Sequence, residues 1–250
     1  MELDIAGRTG LVSGASSGIG KAIALALGRE GVRLVITARR KDQLNEVAEQ
    51  IQSTGGPNPV VVAADFLAPD APARIAETAL AELGAVQILV NNAGGSRPFT
   101  RETSDADWEE ALTLNFTRHR QLTTRLLDRM IAGGWGRIVN ITGKSEPDGV
   151  NGAFSAKAAL HSWAKGLSRE VGPNGITVNS IPPGRIMSEQ IERNYRPEYR
   201  QWQSSNEIPV GEYGRGDDIA NLVCFLVSPL ARYITGTVIP VDGGLRRYQF

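Results

Sequence analysis

Cysteine is nearly missing from this 250-residue chain: Cys224 is the single one, so no internal disulfide framework is available. It sits in the apolar run IANLVCFLV (residues 219–227), which reads as a buried, inert thiol. Histidine is scarce too, with only His119 and His161, and no Cys/His spacing suggests a metal site. Neither sign of charge prevails. The 27 basic and 27 acidic side chains cancel, so no global field draws the chain to nucleic acid or to an anionic membrane. No run approaches the ~18 consecutive apolar residues of a membrane span, and the opening MELDIAGRTG lacks the basic flank and apolar segment of a secretion signal. These absences predict a soluble, cytoplasmic protein, with residues 1–250 forming one domain large enough for a substantial core.

What the chain does contain is a rhythm. Short β-branched runs recur as GLVSG (10–14), VRLVIT (32–37), VVVAA (60–64), ILVNN (88–92), RIVNIT (137–142), ITVNSI (176–181) and TVIPV (237–241). They are apolar with little alternation, as strands buried on both faces require. Helical stretches separate them: 20–31, 41–52 and the long 108–133, among others. The alternation predicts an α/β fold, a Rossmann-type doubly wound parallel sheet of about seven strands with helices on both faces. Residues 184–215, GRIMSEQIERNYRPEYRQWQSSNEIPVGEYGR, break the rhythm. They are polar, aromatic and long for a connection, which marks a lid or substrate loop.

Chemistry enters at LVSGASSGIGKAIALAL, where a strand runs straight into a helix through Gly14, Gly18 and Gly20. Glycines there permit a tight turn and let a pyrophosphate approach the amides of Ser16, Ser17 and Ile19 at the helix N-terminus. A packing turn gives a similar spacing, so the segment takes its meaning from its first-strand position. The second strand ends in ITARRKDQL. NAD-specific folds commonly place an acid at this tip for the ribose hydroxyls; here stand Ala38, Arg39 and Arg40. A guanidinium fork suits the 2′-phosphate of NADP(H), and the missing carboxylate removes a repulsion, so NADP(H) is expected over NAD(H). Two solvated arginines before a helix are the plainer alternative. Asp65 and Phe66 follow the third strand, where Asp65 either bonds the adenine or caps the turn.

Taken together, these segments resemble the short-chain dehydrogenase/reductase family over essentially the whole chain. SGASSGIG looks like its cofactor motif, with Ser13 where threonine is usual. NNAG (Asn91, Asn92, Ala93, Gly94) matches its motif after the fourth strand, and LNF places Asn115 at its catalytic asparagine. NSIPPGRIMS resembles the segment that holds the nicotinamide carboxamide, implicating Pro183, Gly184, Ile186 and Ser188. The resemblance implies hydride transfer between a nicotinamide and a carbonyl or alcohol. In that scheme a tyrosine handles the oxygen's proton and a lysine four residues on lowers its pKa and bonds the ribose. A serine after the fifth strand holds the substrate, and the asparagine anchors a water. It also implies a homo-oligomer, a homotetramer or homodimer, acting on a small-molecule substrate.

Two of those four groups are missing. Lys157 fits SAKAAL, but four residues earlier stands Ala153, and the serine position falls on Gly143. The cofactor half of the site is expected to be intact while the proton-handling half is not. Lys144 and Ser145 in the loop after the fifth strand are candidate substitutes. So are Tyr195 and Tyr199 in the lid stretch, one helical turn apart, although ordinary packing explains that pair as well. His119 and His161 each fall one turn after a functional position and more simply face neighbouring helices. Two readings follow: an NADP(H)-dependent oxidoreductase with a rearranged proton relay, or a cofactor-binding homologue without turnover, acting as a nucleotide sensor or partner subunit.

Overall fold

Six of the β-branched runs become the strands of one parallel sheet. The computed structural model describes residues 2–96, 98–143 and 149–247. Along them run β1 (Thr9–Ser13), α1 (Gly18–Arg29), β2 (Arg33–Ala38), α2 (Lys41–Ser53), β3 (Val60–Ala63), α3 (Ala71–Leu83) and β4 (Ile88–Asn91). There follow α4 (Asp105–Leu112), α5 (Arg118–Ala132), β5 (Gly136–Ile141), α6 (Gly152–Val171), β6 (Ile176–Ile181), α7 (Glu189–Asn194), α8 (Pro197–Asn206) and α9 (Gly216–Leu226). The strands stand in the order β3-β2-β1-β4-β5-β6, every neighbouring pair parallel. The chain winds outward from β1 to β3, then crosses back to β4 and winds the other way. The crevice where the two windings part, at the carboxyl ends of β1 and β4, is where such sheets bind ligands.

Both sheet faces are covered, which is why the strands read as unbroken apolar runs. Along β4, Ile88 and Val90 join the core layer built with α1, α2 and α9, while Leu89 joins the layer built with α3, α5 and α6. All three are fully buried. Burial of each such side chain is worth about 1.5–3 kcal/mol. Cys224 is buried on α9, where desolvation pushes its thiol up to about 12, so it stays protonated and inert.

Three expectations need correction. About seven strands are predicted, and six form among the described residues. TVIPV does run along the outer edge of β6, but it touches it through the isolated bridges Ser180–Val238 and Pro183–Val241. Pro182, Pro183 and Pro240 have no amide hydrogen to give, so no continuous ladder develops. The stretch 108–133, read as one helix, is α4 and α5 joined by a π-helical segment, Thr113–Thr117. There the Arg118 amide reaches back five residues to the Thr113 carbonyl. Residues 184–215, read as a loop, carry α7 and α8. The second of these is anchored from beneath: buried Gln203 accepts from the Tyr213 hydroxyl and donates to Glu207 at 2.9 Å, and Glu207 pairs with Arg185 at 3.5 Å.

Candidate functional site

β1 ends at Ser13 and the chain must turn at once into α1. Gly14 adopts φ +67°, a left-handed conformation that side chains resist. A Cβ there would lie 2.8 Å from Asn92 Nδ2 and 2.9 Å from the Ala93 Cα, so only glycine lets the turn press against the tip of β4. Ser13 and Asn92 lock this contact. Ser13 Oγ accepts the amides of Asn92 (2.9 Å) and Ala93 (3.0 Å), and Asn92 Nδ2 donates to the carbonyls of Ser13 (3.0 Å) and Gly14 (3.1 Å). Sequence reading assigns Ser13 no bracing role; the signal is a small polar residue at the tip of a strand that is otherwise apolar. α1 starts without a side-chain cap, because the hydroxyl of Ser17 at its N-cap takes Arg40 Nη2 at 2.8 Å instead. The first amides of α1 are thus left to an incoming anion.

A cavity of about 360 Å³ opens over this turn. One end is walled by Ser16, Ser17, Arg39, Arg40, Asp65 and Phe66. Asp65 Oδ1 accepts the Leu67 amide at 3.0 Å, so it shapes its own turn while facing the cavity. The other end is walled by Gly94, Asn115 and Ala153, together with Phe99, Asp107, Glu110, Ala111 and Leu114. These last residues were missed, although four of them repeat at helical spacing along α4 and the turn after it. A channel walled at one end by an uncapped helix start and two guanidinium groups fits a phosphorylated dinucleotide.

At the far end the π-helical segment aims Asn115 inward. Its Oδ1 accepts the Gly95 amide at 3.2 Å, and its Nδ2 donates to the carbonyls of Gly95 (3.1 Å) and Ala111 (3.0 Å). Gly94 has to be glycine here, since a Cβ would stand 2.8 Å from Asn115 Oδ1. Lys157 donates from Nζ to the carbonyls of Ile141 (3.3 Å) and Thr142 (3.1 Å), and desolvation lowers its pKa to about 8. Ala153, one turn earlier on α6, is buried on the cavity wall. Asn151 caps α6 by accepting the amides of Ala153 (3.0 Å) and Phe154 (3.2 Å), and it donates to Ser96 at 3.0 Å, tying the helix to the cavity rim. A Cβ at Gly143 would stand 3.3 Å from Lys157 Cδ and 3.4 Å from the Phe154 ring, so position 143 faces the Lys157 stem.

The remaining sequence candidates are placed as follows. Lys144 and Ser145 lie outside the described residues. Tyr195 and Tyr199 do not share a helix: Tyr195 ends α7 in an extended conformation, which separates it from α8. Their rings stack at 5.6 Å, Trp202 continues the ladder at 5.9 Å, and neither tyrosine is on the cavity wall. His119 is buried; its Nε2 donates to the Ala93 carbonyl at 2.6 Å, and burial, then the Lys157 charge, push its pKa down to about 3. His161 Nε2 meets Thr142 Oγ1 at 2.7 Å, and burial likewise lowers its pKa. Asn91 turns inward, donating to Thr123 (3.0 Å) and Asn140 (2.9 Å), and so braces the sheet. Ile19 packs on the core and Gly20 lies against the Gly14 carbonyl. Pro183, Gly184, Ile186 and Ser188 stand outside the cavity wall. Ser188 caps α7 by accepting the Ile191 amide at 3.3 Å, across from Gly18.

The chain is similar to known proteins along nearly its whole length. The family model described as Enoyl-(Acyl carrier protein) reductase matches residues 14–246. The 3-oxoacyl-(acyl-carrier-protein) reductase FabG of Aquifex aeolicus (strain VF5) is 35% identical over 257 residues, covering 98% of this chain and 100% of that protein. The L-sorbose reductase of Gluconobacter frateurii, solved with NADPH and L-sorbose, superposes with a TM-score of 0.92 at 30% identity, covering 99% of this chain and 100% of that one. A 7 alpha-hydroxysteroid dehydrogenase, complexed with NADH and 7-oxo glycochenodeoxycholic acid, also gives 0.92, at 31% identity over 97% and 96% of the two chains.

Proposed function

The chain belongs to the short-chain dehydrogenase/reductase family, and from that premise we propose that it is an NADP(H)-dependent oxidoreductase acting on a small carbonyl or alcohol. Its proton relay dispenses with the family's tyrosine and serine, whose positions are Ala153 and Gly143. The observation that carries this reading is the continuous cavity from Arg39 and Arg40, past the glycine turn, to Asn115 and Ala153. Two solved relatives hold NADPH and NADH respectively, so family membership leaves the cofactor open. The choice rests on Arg39 and Arg40 standing where a carboxylate would favour NAD(H).

When bound, the nicotinamide supplies the hydride. The chain's own residues do the rest. The glycine turn and the first amides of α1 would hold the pyrophosphate and Lys157 the nicotinamide ribose; Pro183, Gly184, Ile186 and Ser188, outside the cavity wall but with Ser188 across from Gly18, would take the carboxamide side as the family resemblance implies. Asn115 fixes the Gly94–Gly95 loop. Lys157, brought to about 8, can hold or release a proton at Nζ near neutral pH. A positioned general acid is worth typically ~10²–10⁴-fold, whereas holding reactants in contact supplies ~7–11 kcal/mol. Losing the tyrosine therefore slows turnover without abolishing its basis. A cytoplasmic homodimer or homotetramer belongs to the same reading.

The methyl group at Ala153 favours a second reading, a homologue that binds the cofactor without turnover as a sensor or partner subunit. Calorimetric titration with NADPH and NADH, followed by NADPH oxidation assays with 3-oxoacyl, ketosteroid and keto-sugar substrates, separates the two. Tight NADPH binding with turnover on any of these supports the enzyme. Tight binding with no turnover above the protein-free rate supports the sensor, and absence of binding refutes both.

A further inference from the structure

Arg40 is the meeting point of three elements. It stands at the N-cap of α2, just past the tip of β2. Its Nη2 donates to Ser17 Oγ at 2.8 Å and reaches Ser16 Oγ at 3.5 Å, both on the glycine turn. Its Nη1 lies 3.9 Å from Glu189 Oε2, on the first residue of α7 in the lid. The guanidinium thus joins the glycine turn at the cavity rim to a carboxylate at the start of α7. Glu189 sits in the first turn of α7, where the helix N-terminus favours an acid, so its place does not depend on Arg40 alone.

We propose that Glu189 is a specificity-determining residue: its carboxylate competes with the cofactor's 2′-phosphate for Arg40 and lowers the protein's discrimination between NADP(H) and NAD(H). This rests on the NADP(H) reading of Arg39 and Arg40. Both partners are about half or more exposed, at 50% and 68%, and an exposed pair of this kind shifts an equilibrium by at most about five-fold. A phosphate monoester carries close to two charges and three acceptor oxygens, so it displaces the carboxylate. The carboxylate therefore weakens phosphate binding without blocking it. Ser188, which caps α7, lies across from Gly18, so the carboxylate, Arg40 and the glycine turn meet at one rim of the cavity.

The test is calorimetry on the full-length protein with NADPH and NADH, for wild type, Glu189→Gln, Arg40→Gln and the double variant. Glu189→Gln is expected to tighten NADPH about two- to five-fold and leave NADH unchanged, with no effect in the Arg40→Gln background. Equal tightening of both cofactors would mean Arg40 serves the pyrophosphate, and no change in either would mean Glu189 does not compete; each overturns the inference. A wild type binding both cofactors equally refutes the cofactor preference itself. If Glu189→Gln then still gains for NADPH alone, the role of Glu189 stands without it.

Discussion

At the scale of single residues, the question is what one methyl group at Ala153 can be exchanged for. It lines the cavity one turn before Lys157, and Gly143, which faces the Lys157 stem, has no hydroxyl to share a substrate oxygen. Ala153→Tyr alone is therefore expected to raise kcat less than ten-fold, because the new phenol lacks its partner. Adding Gly143→Ser supplies one, provided the Phe154 ring yields, and the double variant should gain ~10²–10⁴-fold. Steady-state kinetics on both variants check this; a large gain from the tyrosine alone would mean that Gly143 is not the partner position. His119 makes a second prediction, about pH. Its pKa falls from 6.5 to about 3 on folding, so between these values the unfolded chain binds the extra proton and stability drops as pH falls. Above about 6.5 both states are neutral and the effect vanishes. His119→Gln keeps a donor for Ala93 and does not titrate. Its urea-unfolding free energy should lose up to about 1.4 kcal/mol per pH unit of that acid-side slope.

At the scale of elements, the π-helical segment decides where the chemistry points. One extra residue between α4 and α5 turns Asn115 inward, and its side chain spans Ala111 on one side and Gly95 on the other. Asn115→Ala strips three backbone groups of their partner and should cost about 1–3 kcal/mol of stability. NADPH affinity should fall with it, as the Gly94–Gly95 loop loosens; urea unfolding and calorimetry measure the two effects. This segment was not legible in the sequence, because the apolar spacing of 108–133 survives one inserted residue. The strands and the glycine turn were legible for a local reason: burial on both faces and a left-handed φ each restrict residue type position by position. Residues 237–241 read as a strand because proline's effect depends on which neighbour needs the missing hydrogen, and that is a tertiary fact. The same holds for Tyr195 and Tyr199, whose four-residue spacing suggests one helix until the extended Tyr195 divides it. The reach of Arg40 to Glu189 joins residues distant in sequence and leaves no local trace.

At the scale of the molecule, the two ends of the sheet are built for opposite purposes. The carboxyl end is open, glycine-lined and braced by single polar side chains. The amino end is closed around Arg137, the second residue of β5, which is 3% exposed. Its guanidinium donates to the carbonyls of Gly136 (2.8 Å) and Gly175 (3.0 Å), approaches that of Ser228 (3.4 Å), and lies 4.4 Å from the Trp135 ring. Arg8 covers the same ring at 4.1 Å. Burial, then the charge of Arg8, lowers the Arg137 pKa to about 10, so the group still carries its charge at neutral pH. Arg137→Met removes a charge that is costly to bury, yet it leaves those carbonyls without their donor and the indole without its cation. The second effect should win, because buried acceptors without partners cost about 1–3 kcal/mol while a methionine there recovers only packing. Stability should therefore fall by about that amount in urea. NADPH affinity should stay as it is, since the length of the sheet separates Arg137 from Gly14 and Asn115. A variant of unchanged stability with weakened NADPH binding would show that the two ends are coupled, against this division of roles.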